Sequence, residues 1–236
     1  MFHRPCVPQR RHFRVVALDL PGHGDGIPLR TRFRLDECAD DIAALTQAMG
    51  IDRFLAVGYS LGGLVAQLTY RRHAAKVSGL VLCATARSAR GSMMDHLVGY
   101  ALPVVATTMQ WNPILQTLDA GVLGEALLGT IDDPAARAWA RAQLRRTTFS
   151  AAISAIHAGS EFRSHDWIHQ IDVPSAVVIT TKDQILPPTS QRQLAAAIPG
   201  ATTLTIDADH GACVNTPELF ADVLVEACQT VAAAGP

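Results

Sequence analysis

Charge is scarce in this sequence. Asp, Glu, Lys and Arg make up 17% of its 236 residues, and 20 basic against 21 acidic side chains leave a formal net charge of -1. No surplus of positive charge is available to bind nucleic acid or an anionic membrane surface, so neither is expected as a partner. Hydrophobic residues make up 49% of the chain, which is enough for a sizeable core and argues against disorder.

Cysteines and long apolar runs are also few. The five cysteines are widely spaced, so they suggest neither a disulfide framework nor the paired spacing of a zinc site. No apolar run approaches the roughly 20 residues of a membrane span, and residues 1–12 lack the apolar block of a signal peptide. These absences predict a cytoplasmic protein without a membrane span.

Short apolar runs alternate with amphipathic helical patterns in both halves of the chain. Strands are predicted over residues 13–18, 54–58, 77–83, 175–181 and 202–207. Helices are predicted over residues 35–49, 61–73, 190–197 and 217–231. Continuously apolar strands that alternate with helices indicate an α/β fold, with a mostly parallel sheet and helices on both faces.

The middle of the chain, residues 86–170, has no convincing strand pattern. Helical segments are predicted over residues 93–102, 112–128, 134–146 and 149–162. We therefore predict a core formed by residues 1–87 and 148–236, with a helical lid inserted at residues 88–147.

The pentapeptide at residues 58–62 (GYSLG) places a serine, Ser60, between a predicted buried strand and a predicted helix. A sharp strand-to-helix turn there would expose the serine hydroxyl above the sheet and strain the backbone. Small residues are needed on either side, and Gly58, Gly62 and Gly63 supply them. The alternative is a glycine-rich turn without chemistry.

Two further residues follow predicted strands in the same way as Ser60. Asp183 comes after the strand at 175–181, and His210 comes after the strand at 202–207. Reacting groups gather outside the carboxyl ends of parallel strands. A serine hydroxyl needs a base to take its proton, and that base needs an orienting carboxylate. The sequence therefore predicts a Ser60, His210 and Asp183 triad.

Other carboxylates fit the orienting role less well than Asp183. Asp207 and Asp209 are too close to His210 in sequence, and Asp172 precedes its strand. His165 and His169 have the i, i+4 spacing of a metal pair, but no third ligand is apparent, so we expect an exposed helix face and no metal.

With these motifs, the chain resembles the α/β-hydrolase superfamily, specifically its small lid-bearing esterase-like members. The resemblance runs over residues 13–231 and rests on four motifs in order. They are VVALDLPGHG (15–24), GYSLGG (58–63), TTKDQILPP (180–188) and DHGACVNTPELF (209–220).

The resemblance implies a role for each residue of the site. It makes Ser60 the nucleophile, His210 the general base and acid, and Asp183 the residue that orients the histidine. The N–H of Leu61 is implied as one oxyanion donor, with Tyr59 beside it in the oxyanion or substrate-binding region. Related dehalogenases and epoxide hydrolases carry Asp at the position of Ser60 in this strand-to-helix turn, which is called the nucleophile elbow. A serine there argues against both reactions.

The sequence departs from the family pattern at its start. Members normally begin with three more strands, and a His-Gly loop after the third supplies the second oxyanion donor. Here the strand at 13–18 comes first, and the family's missing strand would lie between it and the strand at 54–58. We expect either strands that close up in another arrangement, or an N-terminally incomplete fold whose chain continues upstream.

These features predict a serine hydrolase that cleaves an ester or related small-molecule acyl compound through an acyl-enzyme on Ser60. No metal or organic cofactor is required for that reaction. Thioester or carbon–carbon bond hydrolysis by the same triad stays open. So does a non-catalytic or degenerate α/β-hydrolase-fold protein, because the second oxyanion donor is missing.

Overall fold

Four parallel strands form the central sheet within the residues that the computed structural model describes, which are 12–29, 32–88, 128, 131 and 133–235. The strands are β1 (Phe54–Tyr59), β2 (Val77–Cys83), β3 (Ser175–Thr180) and β4 (Thr202–Ile206). They lie in the order β1-β2-β3-β4, and each neighbouring pair is parallel. This is the mostly parallel α/β architecture that the sequence predicts.

Helices cover the sheet on both faces. They are α1 (Leu35–Ala48), α2 (Leu61–His73), α3 (Pro134–Leu144), α4 (Phe149–Glu161), α5 (Pro188–Ala197), α6 (Ala212–Asn215) and α7 (Pro217–Ala233). Residues of α2 and α5 pack on one face of the sheet, against Leu80, Leu82 and Ile179. Residues of α7 pack on the other face, against Val81 and Val178. All six residues of β3 are buried, as expected for a strand that is covered on both faces.

The strand predicted over residues 13–18 is wrong, because this segment forms no β-ladder in the structure. Within the described residues, β1 is the edge strand of the sheet, with no strand paired on its outer side. A strand needs a neighbour for its N–H and C=O groups, and the segment at 13–18 pairs with no strand in the part of the chain that the structure describes. Its residues are partly or largely exposed, with Val16 at 37%.

Much of the predicted lid at residues 88–147 lies outside the described residues. At its far end, α3 begins after Asp133, whose carboxylate accepts the N–H groups of Ala135 and Ala136. The following helix, α4, belongs with the core, since its Ala155 packs in one cluster with Leu64 of α2 and Cys38 of α1.

The two ends of the middle segment, residues 86–170, bond to each other and to α2. Ser88 and Arg163 form an isolated antiparallel bridge. Next to them, the buried Gln67 of α2 donates to the carbonyl of Ala86 at 3.1 Å and accepts from the hydroxyl of Ser164 at 2.8 Å. A fully buried amide of α2 therefore joins both ends of the segment to the core.

Within the described part of the chain, no helix combines the length and the apolar character needed to cross a membrane.

Candidate active site

A strained turn carries Ser60 from β1 into α2. The residue has φ 52° and ψ -116°, a left-handed conformation that costs a non-glycine residue about 1–3 kcal/mol. Two backbone hydrogen bonds hold the turn. The N–H of Ser60 donates to the carbonyl of Cys83 at the end of β2, and the N–H of Gly63 donates to the carbonyl of Ser60, both at 2.9 Å.

Two of the three glycines around Ser60 are required by close backbone packing. A Cβ added at Gly58 would lie 2.2 Å from the carbonyl oxygen of Gly62, and one at Gly63 would lie 2.5 Å from the side chain of Thr85. A Cβ at Gly62 would meet nothing within 4 Å. The expectation that Gly62 must lack a side chain is therefore corrected. Gly62 matters because its backbone lies where a side chain at Gly58 would be.

The structure brings Ser60, His210 and Asp183 together at the carboxyl edge of the sheet. The Nε2 of His210 lies 2.9 Å from the Oγ of Ser60, and its Nδ1 lies 2.7 Å from the Oδ2 of Asp183. A carboxylate can only accept a hydrogen bond, so Nδ1 carries the proton and Nε2 is left to accept the serine proton. These residues come from the ends of β1, β3 and β4, as the strand pattern predicts.

The Asp183 carboxylate is fully buried and surrounded by donors. Its Oδ1 accepts the backbone N–H groups of Ile185 and Leu186 at 2.9 and 2.8 Å. Its Oδ2 accepts from the Thr180 hydroxyl at 2.8 Å, and from His210. Burial acts to raise the pKa of Asp183, but the hydrogen bond and charge of His210 and the other donors outweigh it, so the pKa lies below its ordinary value. The carboxylate therefore stays ionised.

A second side chain, Gln191 of α5, contacts the same carboxylate. Its Nε2 lies 3.1 Å from the Oδ2 of Asp183 and 2.9 Å from the Oγ1 of Thr180. No sequence motif marks this residue as part of the site. Only its place on an otherwise apolar buried face of α5, beside Leu194 and Ala195, sets it apart.

The Tyr59 side chain packs against the loop that carries His210, and its place in the oxyanion or substrate-binding region stays a prediction. Its hydroxyl donates to the backbone carbonyl of His210 at 2.6 Å, and its ring packs edge-on against Phe220, with the centroids 5.3 Å apart. Burial raises the pKa of the Tyr59 hydroxyl, so it remains a donor. The side chain supports the loop that carries the histidine, and nothing in the sequence motif signals this contact.

Leu61 is the first residue of α2. The N–H groups of a helix's first turn have no partner within the helix, and they point towards the side where negative charge is favoured. The Leu61 side chain packs in the cluster between α2 and α4. The position of its backbone N–H at the start of α2, next to Ser60, agrees with the oxyanion role, which stays a prediction.

The other carboxylates considered for the orienting role bond to groups outside the site. Asp172 accepts from the Tyr70 hydroxyl at 2.7 Å, Asp207 pairs with Lys182 at 2.9 Å, and Asp209 accepts the N–H of Gly211 at 2.8 Å. His165 and His169 are exposed, but the expected helix face is wrong, since His165 lies in a turn and His169 in a short 3₁₀ helix at Ile168–Gln170. Among residues 12–29, 32–88 and 133–235, no three His, Cys, Asp or Glu side chains cluster in a way that could hold a metal ion.

A parallel α/β sheet with a strained serine elbow, followed by an aspartate and a histidine at later strand ends, defines an enzyme of the hydrolase class. Comparison with known proteins agrees: the chain belongs to the α/β hydrolase fold family, whose model matches residues 5–217.

Curated relatives are similar over most of the chain. A pimeloyl-[acyl-carrier protein] methyl ester esterase of Chromobacterium violaceum is 31% identical over 240 residues, covering 98% of this chain and 90% of that protein. An esterase of the same name from Neisseria meningitidis serogroup A is 31% identical over 219 residues, covering 88% of this chain. That match spans 65% of the Neisseria protein's length. These relatives support hydrolase activity for this chain.

Solved structures show the same fold. An enol-lactonase from Burkholderia xenovorans superposes with a TM-score of 0.80 at 25% identity, over 95% of this chain and 86% of that one. A thermophilic esterase from Thermogutta terrifontis gives a TM-score of 0.82 at 22% identity, over 98% of this chain and 85% of that one.

Proposed function

We propose that this protein is a serine hydrolase that cleaves a carboxylic ester, with Ser60 as nucleophile, His210 as general base and acid, and Asp183 as the residue that orients the histidine. The observation that carries the proposal is the continuous contact from Ser60 Oγ to His210 Nε2 at 2.9 Å, and from His210 Nδ1 to Asp183 Oδ2 at 2.7 Å. A nucleophile, a base and an orienting carboxylate within hydrogen-bond reach are what acyl transfer needs.

The proposed reaction has two stages. Ser60 Oγ attacks the carbonyl carbon of the ester while its proton passes to His210 Nε2, and the N–H of Leu61 donates to the developing oxyanion. When the tetrahedral intermediate collapses, the alcohol leaves with the proton from His210, and the acyl group remains on Ser60. Water then gives a proton to His210 and attacks the acyl carbon. When this second intermediate collapses, His210 returns the proton to Ser60 Oγ, which releases the acid and restores both residues.

Asp183 favours this sequence by stabilising the charged histidine. Because it is ionised and fully buried, its charge is little screened by solvent, and it attracts the imidazolium that forms in each stage. No step needs a metal ion or an organic cofactor.

We propose an acyl methyl ester as the first substrate to test. The five curated relatives at 31% identity carry the name of an esterase that acts on the methyl ester of a pimeloyl group attached to an acyl carrier protein. A panel of this methyl ester, simple p-nitrophenyl esters, thioesters and substrates with a carbon–carbon bond beside a ketone would separate ester hydrolysis from its alternatives.

A fluorophosphonate probe tests the nucleophile directly, because it phosphonylates activated serines. The wild-type protein should be labelled, and Ser60→Ala should not. His210→Gln should label at least about 10³-fold more slowly, since the serine loses its base. The matched control is His169→Gln, an exposed histidine outside the site, which should label like the wild type. Equal labelling of wild type and Ser60→Ala would support the non-catalytic alternative.

A further inference from the structure

The amide of Gln191 is fully buried and directed entirely at the acid side of the proposed triad. Its Oε1 accepts the backbone N–H of Thr180 at 3.1 Å, at the end of β3. Its Nε2 has three acceptors within reach: Thr180 Oγ1 at 2.9 Å, Asp183 Oδ2 at 3.1 Å and the carbonyl of Leu186 at 2.8 Å. One side chain therefore connects the strand end, the carboxylate and the loop that follows it.

We infer that Gln191 is a positioning residue of the triad: it fixes the Asp183 carboxylate against His210 and controls how strongly His210 holds its proton. The inference rests on the proposed function, because it assigns Gln191 a part in that same site.

Packing alone does not require an amide at this position. The residue is 0% exposed, and its neighbours on α5, Leu194 and Ala195, are apolar. Burying an amide costs folding free energy unless its polar groups are hydrogen-bonded. Here the bonds go to Thr180, Asp183 and Leu186, which form the end of β3 and the loop that carries the carboxylate. An apolar side chain of similar length would fill the same space without these bonds.

The position of the contact explains the effect on His210. The Oδ2 of Asp183 is shared by three donors, which come from Gln191, Thr180 and His210. Gln191 donates to the carboxylate without neutralising it. This hydrogen bond stabilises the negative charge on Oδ2. The charge therefore attracts the proton of His210 less strongly than it would without Gln191.

Among the residues that the structure describes, a few titratable groups lie near this contact. Tyr59, Asp209 and Cys213 lie on the elements packed around His210. Burial keeps Tyr59 protonated, and it raises the pKa of Cys213 to about 11. Lys182 is turned to the surface, where it pairs with Asp207. Asp209 is the one other carboxylate beside His210 among these groups, and it is left unchanged in the test.

The test replaces Gln191 by Glu and follows the pH dependence of the fluorophosphonate labelling rate. When it ionises, a carboxyl in the place of the amide, 3.1 Å from Asp183 Oδ2, adds a second negative charge beside the imidazolium, so His210 holds its proton more tightly. The acid limb of the profile, where the labelling rate rises with pH, should then move up by about one pH unit or more in Gln191→Glu. A carboxyl that keeps its proton would donate to Oδ2 as the amide does and leave the limb in place, so Gln191→Met decides that case.

The matched control is Gln193→Glu, which adds the same charge on the same helix at an exposed position. Solvent and salt screen a charge there, so its acid limb should stay within about 0.3 pH unit of the wild type. Gln191→Met, which keeps the volume and loses the bonds, should label about tenfold more slowly at pH 7 and shift the limb in the same direction by less. A limb unchanged in both Gln191 variants would overturn the inference.

NMR titration of the His210 ring in wild type and Gln191→Met gives a readout that needs no reaction. The pH at which the imidazole takes up its proton should rise in the variant, and an unchanged value would count against Gln191. This separates the two claims. Absence of Ser60 labelling in the wild type defeats the proposed function, whereas labelled Ser60 with unmoved titrations defeats only the role of Gln191.

Discussion

At the scale of single residues, the site is held by polar groups whose partners are distant in the sequence. The Tyr59 hydroxyl reaches the backbone of His210, 151 positions away, and the Asp183 carboxylate accepts from His210, 27 positions away. Ser60 itself sits in a strained conformation. The geometry of the hydroxyl and the imidazole therefore depends on side chains that take no part in proton transfer.

Tyr59→Phe should lower both stability and rate. It removes the donor to the His210 carbonyl and leaves that carbonyl with one bond fewer, at a cost of about 1–2 kcal/mol in the free energy of unfolding. The loop that carries His210 gains freedom, so the labelling rate should fall severalfold. Urea denaturation and fluorophosphonate kinetics measure the two effects.

Tyr70→Phe is the matched control for this change. Its hydroxyl bonds Asp172 and the Gln170 carbonyl in the segment that leads into β3, at the edge of the sheet opposite the site. It should lose comparable stability and keep the wild-type labelling rate. A Tyr59→Phe protein that labels at full speed would show that the His210 loop does not need this bond.

The places of the site residues could be predicted from the sequence, but the contacts that hold them could not. Ser60, Asp183 and His210 could be located because each follows an apolar run, and the carboxyl ends of parallel strands meet at one edge. Their catalytic roles stay predictions. The contacts of Tyr59 and Gln191 could not be inferred, because a tyrosine within the elbow motif and a glutamine on a helix have many possible partners until the tertiary packing is known.

At the scale of elements, the elbow offers a test among three neighbouring glycines. Gly58→Ala and Gly63→Ala should each destabilise the protein by roughly 1–3 kcal/mol, because the new methyl group meets the Gly62 backbone or the buried Thr85. Gly62→Ala should keep or slightly raise stability, because its Cβ enters open space within a helix.

Thermal and urea unfolding of the three variants measure this difference. Gly62→Ala serves as the control for the chemical change, since all three add one methyl group to the same turn. Equal destabilisation by all three would mean that the turn requires glycine for its backbone conformation and not for close packing.

Element boundaries followed the local pattern wherever a partner element was present. The strand at Val77–Cys83 and the helix at Leu61–His73 have the bounds that the sequence predicts. The segment at 13–18 has an equally apolar pattern but forms no strand, because strand formation depends on a neighbour to pair with and not on the segment alone.

At the scale of the whole molecule, the buried charge of the site is coupled to folding. Asp183 has a pKa lowered from an ordinary value near 3.8, through its bond to His210 and its other donors and despite its burial. Its ionised form therefore stabilises the folded protein at pH values above that ordinary value. As the pH falls through it, the unfolded chain takes up the proton first, and this contribution is progressively lost.

Comparing wild type with Asp183→Asn isolates this contribution. Asn cannot ionise and also loses acceptors for the surrounding donors, so it should be less stable at neutral pH. The difference in unfolding free energy between the two proteins should shrink as the pH is lowered from about 5 to about 3, where the unfolded chain takes up the proton of Asp183. Urea denaturation at a series of pH values measures it.

Asp207→Asn is the control, because the pKa of Asp207 is also lowered, by its bond to Lys182, at an exposed position. Its pH-dependent difference should be smaller and should vanish in about 1 M salt, where exposed charges are screened. The Asp183 difference should persist in salt, since that carboxylate is fully buried. A pH-independent difference between wild type and Asp183→Asn would mean that the folded protein does not hold Asp183 as a stabilised carboxylate.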